Sequence, residues 1–317
     1  FQRGSTMHSL VPRDENGRSN YRMGALRPNQ FGVDDAHVVE YVDSIAQASG
    51  EFLQIVNFNL AGAQYAVAGT VAGLKALEED ATKRAAEYGG KRPFMYVPGI
   101  DVPFHSTVLR SGVADFRTKL DERIPAEIDP AKLVGRYIPN LVARPFELTR
   151  EFAQSILDVV PSDTVRELLE TDGAWDAALA NPGVLTRTLL IELLCWQFAS
   201  PVRWIETQRV LLSTEEAAPG VAGLGVDQVI EVGLGAAPTL ANLAARTLLA
   251  PEFALSRVDV FNVQRDESRV YATDVAVIED DEDEEITPEA PTAEAAPSPA
   301  PAAAVAEAAP APNPAAP

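Results

Sequence analysis

The sequence has three histidines, at 8, 37 and 105, and one of them sits where a base belongs. His105 lies near the end of the run Val97-Pro98-Gly99-Ile100-Asp101-Val102-Pro103-Phe104-His105-Ser106, just after the strand-like Phe94-Met95-Tyr96-Val97. The prolines fix φ, and Gly99 admits a backbone angle that other residues avoid. An imidazole on such a rigid bend suits general-base chemistry, which needs the base within about 3 Å of the proton it removes. The competing reading is a capping histidine at a strand end. His37 falls in a helical-period stretch and His8 in a mixed-polarity opening helix, so neither is presented in this way.

Other chemistry-bearing groups are weaker. Gly233-Leu234-Gly235-Ala236-Ala237-Pro238 invites a dinucleotide reading, but proline replaces the third glycine and no acid-terminated second strand follows at the required distance. A close-packed strand-to-helix turn is the better expectation. No Gly-x-Ser-x-Gly nucleophile elbow occurs. The acids from Glu279 to Glu285 form a contiguous run without a bracketing glycine, which reads as a solvated tether rather than a cation site. Arg3, taken alone, reads as a surface arginine, and Cys195 lies in the apolar run Leu189 to Trp196.

The elements that must carry these groups follow from periodicity. Phe1 to Leu10 reads as the end of a helix begun upstream, and Val11 to Asn20 as a loop. Tyr21 to Leu26 is a weak strand. Asp34-Asp35 opens a helix through Ser49, with Gly50 at the stop; Phe52 to Leu60 and Gln64 to Gly69 are strands joined by Ala61-Gly62-Ala63. Thr70 caps a helix to about Tyr88, Gly89-Gly90 end it, and Phe94 to Val97 completes a β-α-β-β-α-β order, the ferredoxin-like split. Helical spacing then recurs in Phe116–Leu120, Phe146–Val159, Ser162–Thr171, Leu185–Phe198 and Trp204–Leu212, punctuated by prolines. Val226–Val232, a glycine turn, a helix from Thr239 to about Leu249 and Val258–Val263 close the pattern as α/β structure, so the small domain is inserted into a parallel α/β body.

The 317 residues are 46% hydrophobic and carry a formal charge of −20. Eleven acids and no Lys or Arg follow Arg269, which leaves about −9 on the rest. That balance argues against nucleic acid, which needs a basic face. A single cysteine excludes an internal disulfide framework and points to a reducing compartment. No apolar run reaches the roughly 18 residues of a membrane span, and no signal peptide is evident. From about Thr287 to Pro317 the chain is Ala/Pro-rich, too poor in large apolar groups to form a core; at about 3.1 Å per residue it reaches on the order of 90 Å.

Five motifs together resemble a known family. Arg3-Gly4 with Met7 and Val11-Pro12-Arg13-Asp14-Glu15, then Val56-Asn57-Phe58-Asn59 with Gln64 to Gly69, then Pro103-Phe104-His105-Ser106 are the first three. Gln197-Phe198-Ala199-Ser200-Pro201-Val202-Arg203-Trp204 and Glu231-Val232-Gly233 with Thr239-Leu240 complete the set. In this order, across residues 1 to about 265, they resemble the malonyl/palmitoyl transferase domains of type I fatty acid synthases of the fungal and actinobacterial kind.

The resemblance implies roles residue by residue. His105 would be the general base, and the backbone carbonyl of Gln197 would orient it as a carboxylate does in a full triad. Arg3 would grip the free carboxylate of malonate. Phe104 would disfavour an α-branched acyl group, and Asn57 and Asn59 would line or brace the site; amides that merely satisfy strand-end backbone are the plainer alternative for those two. The family's nucleophilic serine belongs to a Gly-His-Ser-x-Gly segment, expected upstream of Phe1 and absent here, so the fragment alone would be inactive. No metal is implied and no cofactor is expected to be bound by this segment, since CoA and phosphopantetheine arrive with the substrates. The expected partners are malonyl-CoA, acyl-CoA, an acyl carrier domain and the other synthase domains, in a large cytoplasmic homo-oligomer.

The fold expected is α/β: the C-terminal part of an acyltransferase α/β-hydrolase-like body carrying a ferredoxin-like subdomain and a helical insertion, with a disordered C-terminal tail. Residues 1–20 would end the upstream core, 21–98 form the subdomain, 99–272 the remaining core with its insertion at about 107–200, and 273–317 an acidic, then Ala/Pro-rich linker toward a carrier domain. The other readings are a non-catalytic scaffold or tether and a polyketide-type acyltransferase; the long helical stretch and Phe104 weigh against the latter.

Overall fold

A five-stranded sheet organises the N-terminal half of the molecule. The computed structural model describes residues 2–233, 235 and 239–271. The acidic run and the Ala/Pro-rich segment, with the disorder and linker role expected of them, lie outside the described residues, as do Leu234 and Ala236 to Pro238 of the glycine turn. Residues up to 272 group into one unit.

The chain opens with α1 (Gln2–Ser9) and a loop, then runs β1 (Tyr21–Leu26), α2 (Val38–Ser49), β2 (Leu53–Leu60), β3 (Gln64–Thr70), α3 (Val71–Tyr88) and β4 (Phe94–Tyr96). All pairings among β1 to β4 are antiparallel, so the βαββαβ order gives the ferredoxin-like sheet. β1, the strand with the faintest alternation, lies between β3 and β4, where partners on both sides supply what its sequence does not. Its Gly24 is required by packing: a Cβ there would stand 2.0 Å from the tip of the Phe94 ring.

The local signals explain the boundaries. Gly50 and Gly89 end α2 and α3 in the left-handed conformation. Thr70 caps α3 by accepting from the Gly73 N–H at 3.1 Å. α2 starts later than Asp34: Asp34 bonds the N–H and Nδ1 of His37, and Asp35 accepts from the Tyr65 hydroxyl, so both acids brace the entry instead of sitting in the first turn.

The two sheet faces have different duties. Leu26, Ile55, Tyr65 and Val67 pack with Val38, Val42, Leu74, Leu77 and Ala81 of the two helices. Met23, Val56 and Ala68 on the other face meet Val97, Ile100 and Phe104. That second face is where the histidine bend crosses the sheet.

Next come α4 (Val113–Asp121), α5 (Arg150–Leu157), α6 (Asp163–Glu170), α7 (Ala174–Leu179) and α8 (Pro182–Gln197). α5 begins at Arg150 rather than Phe146 because Thr149 caps it, its hydroxyl accepting from the Phe152 N–H at 3.2 Å. α4 and α7 both pack on α8, and α1 on α4. Their apolar faces form one cluster that includes Met7, Val11, Val102, Phe116, Phe152, Leu189 and Phe198. Inside it Glu192, 1% exposed, accepts two bonds from Arg117 at 2.6 and 2.8 Å, one from Ser162 Oγ at 2.7 Å and one from Trp196 Nε1 at 3.2 Å.

β5 (Val202–Arg203) pairs in parallel with β2 and leads into α9 (Trp204–Leu212). A short hairpin, β6 (Glu216–Ala218) with β7 (Val221–Ala222), is an element that periodicity did not signal. β8 (Gln228–Glu231), α10 (Thr239–Thr247) and β9 (Asp259–Asn262) form a unit whose two strands are parallel, as the α/β reading requires.

Candidate active site

The bend delivers His105 in an uncommon backbone state. Its φ is +62°, in the left-handed region that costs a non-glycine residue about 1–2 kcal/mol. Three bonds hold it there. The His105 N–H donates to the Phe198 carbonyl at 3.0 Å, Ser106 Oγ donates to the Pro103 carbonyl at 2.6 Å, and the Phe104 N–H to the Val102 carbonyl at 2.8 Å. Just past the bend, Gln54 Oε1 on β2 accepts from the Thr107 N–H at 2.9 Å and from its hydroxyl at 3.1 Å.

The ring is fixed by the end of α8. His105 Nδ1 lies 2.9 Å from the Gln197 carbonyl oxygen. A carbonyl can only accept, so Nδ1 carries the proton and Nε2 is left with its lone pair. Burial pushes the His105 pKa below the usual imidazole value, the Gln197 and Ser200 carbonyls pull it back, and the Arg3 charge lowers it further. The ring is therefore neutral near pH 7, the state a base needs.

Arg3 reaches the same ring electrostatically from α1. Its Nε is buried without a protein partner, and burial lowers its pKa. A partly buried guanidinium whose Nε has no protein partner can attract an anion. Phe104 packs between the sheet-face residues Met23 and Val56 and the helical core, next in sequence to the imidazole.

Asn57 and Asn59 lie on β2. A register shift between Ile55 and Asn57 inserts one residue, and Phe58 packs on the helix-covered face with Tyr65. Alternation from Phe58 then puts Asn57 on the opposite face, the one crossed by the bend, whereas Asn59 falls in a second register shift, between Phe58 and Leu60, where alternation does not hold. Asn57 stands opposite Val202, five residues beyond Gln197. Among the described residues neither side-chain amide bonds His105 or Arg3.

Other nucleophile candidates fall away. Ser106 is fully buried with its hydroxyl engaged, and burial pushes the Cys195 thiol up to about 12. At the start of α10 the Glu231 carboxylate accepts from the N–H groups of Thr239, Leu240 and Ala241 at 3.0–3.2 Å, so these three donors are engaged. A phosphate would need those donors.

Sequence reasoning missed two features of the site. Ser200 Oγ is buried without a partner, in the turn whose carbonyl faces the imidazole. Arg13 grips Asp101 within the bend at 2.6 and 3.1 Å. Its signal was present as an acid inside the Pro/Gly run and an arginine after Pro12. Among the described residues no group of three or more His, Cys, Asp or Glu is gathered for a metal, and no helix is long and apolar enough to cross a membrane.

Comparison with known proteins converges on one class. No family model matches the chain. It is 39% identical over 286 residues to "Fatty acid synthase 2" of Mycosarcoma maydis, covering 79% of this chain and 7% of that protein. It is 34% identical over 212 residues to the fatty acid synthase subunit beta of Saccharomyces cerevisiae, covering 54% of this chain and 10% of that one. The chain thus spans a tenth or less of the length of these relatives. Among solved structures, it matches the malonyl-CoA:acyl carrier protein transacylase of Xanthomonas oryzae pv. oryzae with a TM-score of 0.50 at 18% identity, over 86% of this chain and 61% of that one. The acyl-carrier-protein S-malonyltransferase of Bartonella henselae gives 0.50 at 20% identity, over 86% and 62%.

Proposed function

We propose that this chain, a homologue of one segment of the type I fatty acid synthases with the S-malonyltransferase fold, moves malonyl groups from CoA to the phosphopantetheine thiol of an acyl carrier domain and palmitoyl groups back to CoA. The observation that carries the reading is the imidazole held by the Gln197 carbonyl, with the unpaired Arg3 guanidinium acting on the same ring.

The chemistry is ping-pong acyl transfer. His105 Nε2 takes the proton of a serine hydroxyl; the serine oxygen bonds to the thioester carbonyl carbon, the C–S bond breaks, and the proton passes to the departing thiolate. The second half runs the same steps with the acceptor thiol. The serine comes from a segment outside these 317 residues, in which no Gly-x-Ser-x-Gly occurs. The Gln197 carbonyl keeps the tautomer and stabilises the imidazolium, the role a carboxylate has in a full triad. Arg3 pairs with the malonyl carboxylate, Phe104 narrows the space beside the reacting carbon, and Asn57 and Asn59 brace the site from the sheet. CoA and phosphopantetheine belong to the substrates; the setting is a cytoplasmic, oligomeric synthase.

The experiment is acyl-enzyme formation from labelled malonyl-CoA by the complete synthase. Substituting His105→Ala should slow loading by about 10²–10⁴-fold. Unchanged loading would favour the alternative, in which this segment is scaffold between catalytic domains.

A further inference from the structure

Arg13 takes no part in the proposed chemistry, yet it joins the two segments that do. α1 carries Arg3, and the loop after it folds back on itself: Arg13 bridges to Ser19, and the Asp14 and Gly17 N–H groups donate to the Arg18 and Asp14 carbonyls, each at 2.9 Å. From this loop the Arg13 guanidinium crosses to the histidine bend. Nη1 donates to Asp101 Oδ2 at 2.6 Å and to the Gly17 carbonyl at 2.7 Å; Nη2 donates to Asp101 Oδ1 at 3.1 Å and to His8 Nδ1 at 2.9 Å. His8 is in the last turns of α1, and Asp101 precedes His105 by four residues. The paired side chains are only 18% and 35% exposed. Among the described residues no other ion pair joins the α1–loop segment to the bend.

We propose that the Arg13–Asp101 pair is a positioning clamp that sets the reach from the Arg3 guanidinium to the His105 imidazole, and thereby the preference for acyl groups ending in a carboxylate. This rests on the roles of Arg3 and His105 given above. A bidentate guanidinium–carboxylate pair fixes orientation as well as distance, which a lysine cannot reproduce. A malonyl group must satisfy two points at once, its thioester carbonyl near His105 and its carboxylate at Arg3. A palmitoyl group must satisfy only the first. Displacement of about 1 Å between the two points is worth up to about 10²-fold in rate, and it falls on malonyl alone.

The test compares single-turnover loading of malonyl and palmitoyl from their CoA thioesters in the complete synthase bearing Arg13→Ala, Arg13→Lys or Asp101→Asn. Malonyl kcat/KM should fall about tenfold or more in Arg13→Ala, and palmitoyl kcat/KM by less than about threefold. Lys should restore part of the malonyl rate. Equal losses for both acyl groups, or no loss for either, overturn the clamp. If Arg13→Ala does not fold, Asp101→Asn, which removes the other half of the pair, gives the same malonyl-to-palmitoyl comparison. A parallel His105→Ala control separates the two ideas: if it too loads malonyl normally, the site reading has failed; if it alone fails to load, only the clamp has.

Discussion

His105 Nδ1 and the Gln197 backbone carbonyl lie 2.9 Å apart, so the ring is oriented by the end of a 16-residue helix and not by a carboxylate. A backbone carbonyl brings no full charge to be desolvated and survives any side-chain change at 197. Gln197→Ala should accordingly leave loading within about threefold of the parent, whereas loss of His105 does not; the comparison of the two variants by acyl-enzyme burst checks that the carbonyl, not the amide, is the partner.

The backbone at 105 makes a second expectation, about stability. At φ +62° an alanine carries the left-handed penalty and a glycine does not. Both substitutions remove the imidazole and both keep the N–H bond to Phe198. His105→Gly should therefore be as stable as His105→Ala or more so, by about 1 kcal/mol, although both are inactive. Thermal melting of the two variants decides it; a less stable glycine variant would refute the claim that this bend stores strain.

The pH dependence has a definite sign. Burial first, and the Arg3 charge after it, hold the His105 pKa below the ordinary 6.5. The neutral ring is the active base, so the acid limb of kcat/KM should lie below about pH 6.5. Arg3→Gln removes one of the two lowering influences, and its acid limb should move toward higher pH. The same shift acts on folding: the unfolded chain binds the proton more readily, so stability attributable to His105 declines as pH falls from about 6.5 through the folded value. Rate profiles of the parent and Arg3→Gln, with a melting series, test both signs.

Much of this architecture was legible in the residues. The ferredoxin-like order followed from periodicity and from Gly50, Thr70 and Gly89, because local caps and alternation are short-range signals. β1 was faint because Gly24 and Ala25 contribute little alternation and the strand is specified by its neighbours, Phe94 above all. The hairpin at Glu216–Ala222 gave no signal because its strands are two and three residues long. At the site, the bend and His105 were visible from proline and glycine. The partner carbonyl at 197 and the Arg13–Asp101 pair link residues 92 and 88 positions apart, and no single-sequence periodicity encodes that. The motif resemblance named Gln197; Asp101 showed only as an acid inside the Pro/Gly run, with nothing to pair it with Arg13.

Buried charge in the helical layer supports the site from behind. Glu192 lies on α8, five residues before the carbonyl that holds the imidazole. Glu192→Ala would strand the Arg117 guanidinium and leave Ser162 and Trp196 without their acceptor, at a cost of about 3–5 kcal/mol. Glu192→Gln keeps an acceptor and should cost less. Cys195 gives a convenient reporter: burial keeps its thiol protonated, with a pKa pushed up to about 12, so it should resist alkylation in the folded protein and react once the layer opens. Alkylation rates should rise in the order parent, Glu192→Gln, Glu192→Ala.

The last expectation concerns the glycine turn that resembles a nucleotide motif. The Glu231 carboxylate occupies the N-terminal donors of α10 with bonds from three successive N–H groups. Burial pushes its pKa up, but the three N–H bonds outweigh this and leave it below the usual 4.5. A depressed carboxyl pKa contributes stability above the unfolded value and loses it as pH falls through the folded one. Glu231→Ala should thus destabilise the protein by about 1 kcal/mol at neutral pH, in the range of a lost helix cap, and by less below about pH 4. Melting of parent and variant at the two pH values measures this. If Glu231→Ala were neutral at pH 7, the carboxylate would not be what anchors α10 to β8, and the donors would be open to an anion after all.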